Sequence, residues 1–416
     1  MRKSTRHNRL RIESLEGRCM LAGNVLANLY GDLLLIRGDA AANDIALTAG
    51  AVNQQVVVTG NATNVNGTAT PKTFNNVRAV QVLLNDGDDV FAFDNGATAY
   101  LRTLTVDGGR GNDTIGLDNI RAGTIVVNDS LGGNDVVNIG ANAAVAARYA
   151  VSIYTNGGDD TITVNNTNIG GSLVINAGTG TAVGDSVTVT TTNVAGSVAI
   201  VTLAGDDTVT MRDVNIGGAL SIVTGGNSAI GVDLIELTGV TAGAAIVINS
   251  GEGADTVTLT TVTTSSLSIV TAGGVDAVTL TTVNVDFGLV IDTGNGADTV
   301  TLDDVNAFSL VVNTGVGNDI DTVTIGGSGD GLDVDYFTLL TGAGNDVVTL
   351  SDSIIARNLV FDLGLGNDTF TALAVNTAVP GFLLSANGSL GNDTLNGFNQ
   401  LNFQFKYPIL FETVNA

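Results

Sequence analysis

Aspartate is the residue this chain places to do chemistry. It closes a Gly-rich turn at Asp89, Asp113, Asp135, Asp160, Asp185, Asp207, Asp233, Asp255, Asp276, Asp298, Asp321, Asp346, Asp368 and Asp393, in steps of 21 to 26 residues. Asp44 stands 45 residues before Asp89, which reads as two further steps. Carboxylates are hard oxygen donors, and turn glycines such as Gly251, Gly253, Gly294 and Gly296 let backbone carbonyls aim inward beside them. Together they form the oxygen set that Ca²⁺ accepts. The best candidates carry a second acid or Asn next to the Asp: Asp86/Asp88/Asp89, Asn112/Asp113, Asp159/Asp160, Asp206/Asp207, Asn345/Asp346 and Asn367/Asp368. Asp135, Asp255, Asp298 and Asp393 complete the candidate metal set, while Gly184-Asp185 and Val275-Asp276 are poorer.

Stacked turns would place these carboxylates about 4.8 Å apart. Unit charges at that distance repel by roughly 0.9 kcal/mol in water and about 3.5 at an effective dielectric of 20. Over about a dozen pairs this sums to roughly 10–40 kcal/mol, against a domain stability of about 5–15. The carboxylates are therefore expected either to turn out into solvent or to hold cations between them. The alternative is a metal-free ladder in which Asp caps the turn amides and Asn/Asp side chains stack.

The elements that must position this column are short strands. In Asp298-Thr299-Val300-Thr301-Leu302 the apolar residues share one face and the threonines the other. A second register keeps the same beat on another strand: Ile153, Ile175, Ile200, Ile222, Ile248, Ile269, Ile291, Val312, Leu339 and Phe361. There Phe287, Leu289 and Ile291 form the expected inward set. One coil cannot bury its apolar face alone, but stacked coils build a continuous core. The expected fold is all-β, a single parallel β-helix of about 15 coils of 21–26 residues, right-handed by the preference of parallel connections. Residues 25–80 read as an N-terminal cap with the first coils, 81–396 as the repeats, and 397–416 as a C-terminal cap. Phe398, Phe403, Phe405, Tyr407 and Phe411 crowd into that last stretch as an aromatic plug.

Charge narrows the function. The 416 residues carry a net charge of −25, and residues 1–24 hold 6 of the 16 basic residues. No Lys or Arg occurs from Asp213 to Ala356. Phosphate-based nucleic-acid binding is excluded on this balance, and divalent cations are the natural partners. No apolar run reaches the roughly 18 residues of a transmembrane helix. Cys19, the one cysteine, lies in the N-terminal segment, so the body has neither disulfides nor thiolate metal sites.

Two resemblances add to this reading. Gly108-Gly109-Arg110-Gly111-Asn112-Asp113-Thr114-Ile115 resembles the GGxGxDxU nonapeptide of RTX-type calcium-binding β-rolls, with near matches at Gly342–Asp346, Gly364–Asp368 and Leu390–Leu395. That resemblance implies secretion and Ca²⁺-dependent folding. The family repeats its turn every nine residues, whereas this chain has one turn per longer coil, so at most one column of sites. Leu15-Glu16-Gly17-Arg18-Cys19-Met20-Leu21-Ala22-Gly23 resembles the N-terminal LEPR-XLL type motif of exported planctomycete proteins, which implies that 1–24 is an export segment.

An enzyme is not expected. His7, the only histidine, lies in the N-terminal segment, the carboxylates follow the repeat beat, and Arg212 and Arg357 read as isolated surface charges. The expectation is an acidic repeat protein, extracellular or at the cell surface, with a structural or adhesive role toward envelope or extracellular polysaccharide or protein. Outward Thr-x-Thr pairs such as Thr208/Thr210, Thr256/Thr258 and Thr299/Thr301 offer a second, ice- or surface-binding reading. Their commoner use is as solvent-facing strand residues.

Overall fold

Alternation in the sequence becomes alternation in space. In the strands Thr256–Thr264, Ala277–Asp292 and Thr299–Asn313, Val257, Val278 and Val300 lie in register, as do Leu259, Leu280 and Leu302. All six are fully buried. The computed structural model describes residues 23–96, 100–129, 131–179, 183–225, 231–326, 331–375, 383–397 and 411–415. Within them the chain is a β-solenoid of about 14 turns with parallel stacked strands. No helix among the described residues is long and apolar enough to cross a membrane. The second register holds throughout: Ile153, Ile175, Ile200, Ile222, Ile248, Ile269, Ile291, Val312, Leu339 and Phe361 are successive partners. A coil buries one apolar residue per register position, and its neighbours above and below supply the cover.

Two expectations are corrected. Phe287 does not face the core; it is 64% exposed, while Leu289 and Ile291 are buried. The pairing of Ala277–Asp292 with Thr299–Asn313 slips between Val285 and Gly288. The extra residue in that bulge interrupts the alternation: Val285 and Leu289 both point inward, and Phe287, which shares their parity, points out between them.

The second correction concerns the start. Asp44–Ala49 pairs directly with Val90–Asp94, and Asp44 lies opposite Val90. The 45-residue interval is thus one coil, and Asn43, not Asp44, is level with Asp89. The surplus chain folds back as antiparallel additions, Val56–Gly60 on Asp44–Ala49 and Lys72–Phe74 on Val56–Gly60. Asn24–Tyr30 likewise pairs antiparallel with Leu33–Arg37.

At the far end the core fills with aromatics. Phe361 stacks on Phe370 with centroids 4.3 Å apart and meets Phe411 edge-on at 6.0 Å. Residues 1–22, which hold all but the last two positions of the expected export segment, and the aromatics Phe398, Phe403, Phe405 and Tyr407 lie outside the described residues.

The bulge gives a test of register. Leu289→Asp buries a carboxylate between coils and should cost several kcal/mol, roughly 3 or more. Phe287→Asp, two residues away, should change stability by less than about 0.5 kcal/mol, as surface substitutions do. Denaturant titration followed by circular dichroism checks this, and similar losses for both variants would contradict the bulge.

Candidate functional site: the aspartate column

Each turn approaches the next so closely that a side chain on its glycines would collide. Gly296 and Gly366 have φ near 148°, and a Cβ there would overlap the carbonyl oxygens of Gly274 and Gly344. The turn backbones consequently bond to one another. Gly253 N–H donates to Gly273 O at 2.7 Å, Gly274 N–H to Asn295 O at 2.8 Å, and Gly344 N–H to Leu365 O at 2.7 Å. Those turn carbonyls are engaged between coils.

The Asp closing each turn faces inward. Asp89, Asp113, Asp135, Asp160, Asp185, Asp207, Asp233, Asp255, Asp276, Asp298, Asp321, Asp346, Asp368 and Asp393 are all at most 3% exposed. They do not turn out into solvent. Each Oδ1 instead accepts the backbone N–H of the Asp in the preceding coil. The series begins at Asn43 N–H to Asp89 at 2.6 Å and continues from Asp89 to Asp113 at 2.7 Å and from Asp113 to Asp135 at 2.8 Å. It runs on through Asp135, Asp160, Asp185, Asp207, Asp233, Asp255, Asp276, Asp298, Asp321, Asp346 and Asp368, at 2.7 to 2.9 Å. It ends where Asp393 N–H donates to Glu412 Oε2 at 2.8 Å.

A second ladder runs the opposite way on the outer side of the same turns. Asn112 N–H donates to Asp88 Oδ1, Asn134 N–H to Asn112 Oδ1, and Asp159 N–H to Asn134 Oδ1, at 2.8 to 3.0 Å. Val232 N–H reaches Asp206, Asn367 N–H reaches Asn345, and Asn392 N–H reaches Asn367. The paired candidates of the sequence thus divide in two, with Asp86, Asp88, Asn112, Asp206, Asn345 and Asn367 exposed and their Asp neighbours buried.

Sequence reasoning missed a third column. Facing the Asp side chains is a position occupied by Leu84, Gly108, Asp129, Thr155, Ala177, Thr202, Thr224, Ser250, Thr271, Thr293, Thr314, Thr341 and Leu363, with each described N–H bonded in the same register. Thr271 and Thr314 donate to Oδ2 of Asp276 and Asp321 at 2.7 Å. Thr155 and Thr341 turn their hydroxyls to the Ala177 and Leu363 carbonyls. The signal was a Thr or Ser five residues before most of the central Asp residues. Its hydroxyls form an unbroken run, Thr224, Ser250, Thr271, Thr293 and Thr314, where the outer position is Val232, Ala254, Val275, Ala297 or Ile320, which have no side-chain acceptor.

Burial raises the whole column above the ordinary 3.8. Asp89, Asp135, Asp185, Asp233, Asp276, Asp321 and Asp368 rise to about 7, with desolvation the largest cause, the neighbouring N–H opposing it and adjacent carboxylates adding to it. The members between them, Asp113, Asp160, Asp207, Asp255, Asp298, Asp346 and Asp393, are also raised by desolvation. Every second carboxyl holding its proton to near neutrality is the arrangement that spares adjacent members from ionising together.

One place departs from the repeat. Asp129 occupies the third column, fully buried, and lies with Asp113 and Asp135 so that one carboxylate oxygen from each falls within 4.8 Å of the other two. Desolvation first, then the charges of Asp135 and Asp113, push the Asp129 carboxyl up to about 9. Three basic residues form ion pairs on the surface: Arg102 with Asp32, Arg212 with Glu236 and Arg357 with Asp335. Comparison of the chain with protein-family models and with curated proteins finds no match.

The ladder makes two checkable statements. Asp255→Asn keeps an oxygen for the Asp233 N–H and removes a charge, so it should be neutral or stabilising at pH 8. Asp255→Ala leaves that buried N–H without a partner and should cost about 1–3 kcal/mol. The pH dependence follows from the raised values. Between the unfolded 3.8 and the folded value of about 7, the folded chain binds more protons than the unfolded one. Stability should be full below pH 3.8, fall as pH rises through about 7, and then level off. Denaturant midpoints higher at pH 5 than at pH 8 are the expected result; a rise toward pH 8 would show the column ionised throughout.

Proposed function

We propose that this protein is a structural rod of the cell surface or extracellular matrix, with an adhesive or spacing role toward envelope polysaccharide or protein. The observation that carries this reading is the unbroken inner ladder from Asn43 to Glu412, which uses the most conspicuous repeated residue as an internal fastener. A repeat whose side chains bond coil to coil serves length and stiffness. About 14 turns at about 4.8 Å give a rod near 70 Å long. Export is supported by the motif within residues 15–23, and the non-catalytic reading by the position of the sole histidine, His7, ahead of that motif and outside the repeats.

Calcium enters this reading as a supplement to the ladder. In the repeating turns Oδ1 of each Asp is occupied by an N–H, and turn carbonyls such as Gly273 O and Leu365 O are bonded to the adjacent coil. The remaining Oδ2 atoms supply one oxygen per coil, short of the six to eight that Ca²⁺ takes.

Surface proteolysis of intact producing cells, followed by fractionation, tests the location and role. The rod should be exposed to added protease, fractionate with the envelope or medium, and be released when its surface ligand is extracted. Recovery in the cytosolic fraction, shielded from protease until lysis, would refute the proposal.

A further inference from the structure

Beyond residue 24 the chain has 10 basic residues against 39 acids, yet four of the ten lie close together on four successive coils. Arg102 N–H donates to Arg78 O, and Arg121 is in register with Tyr100 one coil on. In the next coil Arg148 and Tyr149 bulge out opposite Gly123. Arg78 and Arg102 are engaged, by the Gln54 side chain and by Asp32. Arg121 and Arg148 are exposed and pair with no carboxylate among the described residues. Arg148 lies over the Tyr149 ring, 5.3 Å from its centroid. Between the two arginines the surface is hollow. Tyr100, Arg121, Ala146, Asn168, Asn193 and Asn215 are successive partners in one outward register, and Ala146 alone among them ends at Cβ. Two recesses, of about 380 and 260 Å³, meet there and share Arg121, Ala146 and Asn168. Tyr100 and Arg148 flank the first, Asn166 and Asn193 the second, and no carboxylate lines either. Gly123 keeps the corner clear, since a Cβ there would come within 3.1 Å of the Tyr100 hydroxyl.

We infer that this hollow binds an acidic polysaccharide, with Arg121 and Arg148 holding carboxylates of its sugar units. A guanidinium presents parallel N–H donors that match a carboxylate, and these two have no such partner within the chain. The amides of Asn168 and Asn193 each offer a donor and an acceptor to sugar hydroxyls. Tyr100 and Tyr149 add exposed rings, apolar on their faces and polar at the tip. The outward register continues through Thr241, Thr263, Asn284 and Asn306, so a bound strand meets hydroxyls and amides in the coils that follow. A neutral glycan would leave both guanidinium groups unused, and an acidic peptide lacks the hydroxyls that this row of amides and hydroxyls can read. Acids elsewhere on the rod repel such a polymer, but screening confines their field to about 8 Å at physiological salt. They leave this hollow as the place where it settles. The inference rests on the surface-rod reading for its setting and deepens it, naming the polymer and the face that holds it.

The test titrates the purified full chain with alginate oligosaccharides, which are built of uronic acids, with neutral dextran and with dextran sulfate, in a calorimeter at physiological salt. Wild type should bind alginate and ignore dextran. Arg121→Gln combined with Arg148→Gln should lose about tenfold or more in alginate affinity with an unchanged melting temperature, because both side chains are exposed. Ala146→Phe should lose as much while both arginines remain, because it fills the hollow; the same register carries Tyr100 two coils earlier, so the variant should fold. Arg212→Gln, which removes the same charge further along the rod, should bind as wild type does. A wild type indifferent to alginate overturns the inference. So does dextran sulfate binding as tightly as alginate and unaffected by Ala146→Phe, which would show a bare charge patch. A wild-type dimer in sedimentation that the arginine variant dissociates would assign the hollow to the acidic flank of a second copy, and the inference falls equally. Since these readouts use purified protein, their failure leaves the rod's location to the protease experiment, and a cytosolic location would leave the measured binding standing.

Discussion

Everything in this molecule depends on one bond made many times: a buried carboxylate oxygen accepting the backbone N–H of the coil beneath it. A Gly-rich turn leaves N–H groups pointing along the rod axis with no strand to receive them, and buried donors without partners are costly. Asp is the shortest side chain that can carry a carboxylate back over its own turn to the neighbouring coil. The bond is directional, so each coil can sit at only one rotation relative to the next. That constraint holds the strand register through coils whose lengths vary from 21 to 26 residues. Insertions are absorbed in the turns while Asp and the following strand keep their places.

The same bond resolves the electrostatic difficulty of stacking acids. Repulsion between neighbours was reason to expect solvent or metal between them, yet the side chains are buried. What offsets the charge is the N–H dipole on one oxygen, a hydroxyl beside the other in the central coils, and the protonated form that burial favours. The reinforcement is divided along the rod. Where the outer ladder of Asp88, Asn112, Asn134 and Asp159 or of Asn345, Asn367 and Asn392 exists, each turn is fastened on both sides. Through the middle coils that outer position is mostly apolar, and Thr224, Ser250, Thr271, Thr293 and Thr314 stand inside instead.

Much of this was legible in the sequence because a solenoid repeats its physics. The Asp beat and the Ile153–Phe361 register each mark one side chain per coil, and both survive into the structure position by position. What was not legible has local causes. Phe287 reads as inward by alternation, but a bulge leaves no mark except the following Gly288, and the interruption follows from pairing with the next coil. Asp44 matched the Asp pattern, yet Asn43 fills the column, since either residue can present a side-chain oxygen or an N–H to the next rung. The 45-residue interval looked like two coils because antiparallel hairpins contain the same alternating strands as coils do. Inward aim of the Asp side chains was the hardest point, because burying an acid is ordinarily unfavourable and only the N–H partner, invisible in sequence, makes it acceptable.

Asp129 shows how a repeat makes a departure from its own rule visible. Against an irregular protein, three carboxylates in proximity would be unremarkable, since exposed acids cluster often. Here the neighbours define what the position is for: a small hydroxyl or apolar group facing the ladder. An acid there adds repulsion to two ladder members already crowded by burial, and its partner Gly108 removes the side chain that would otherwise keep the carboxylates apart. Each substitution alone would weaken the stack: the acid through unpaired charge, the glycine through lost packing. Side by side, on successive coils, the glycine leaves room for the two carboxylates that lean against it. A repeat that departs from its own rule twice at one point, in complementary ways, shows the two residues to be one change: the acid is accommodated there because the facing side chain is missing.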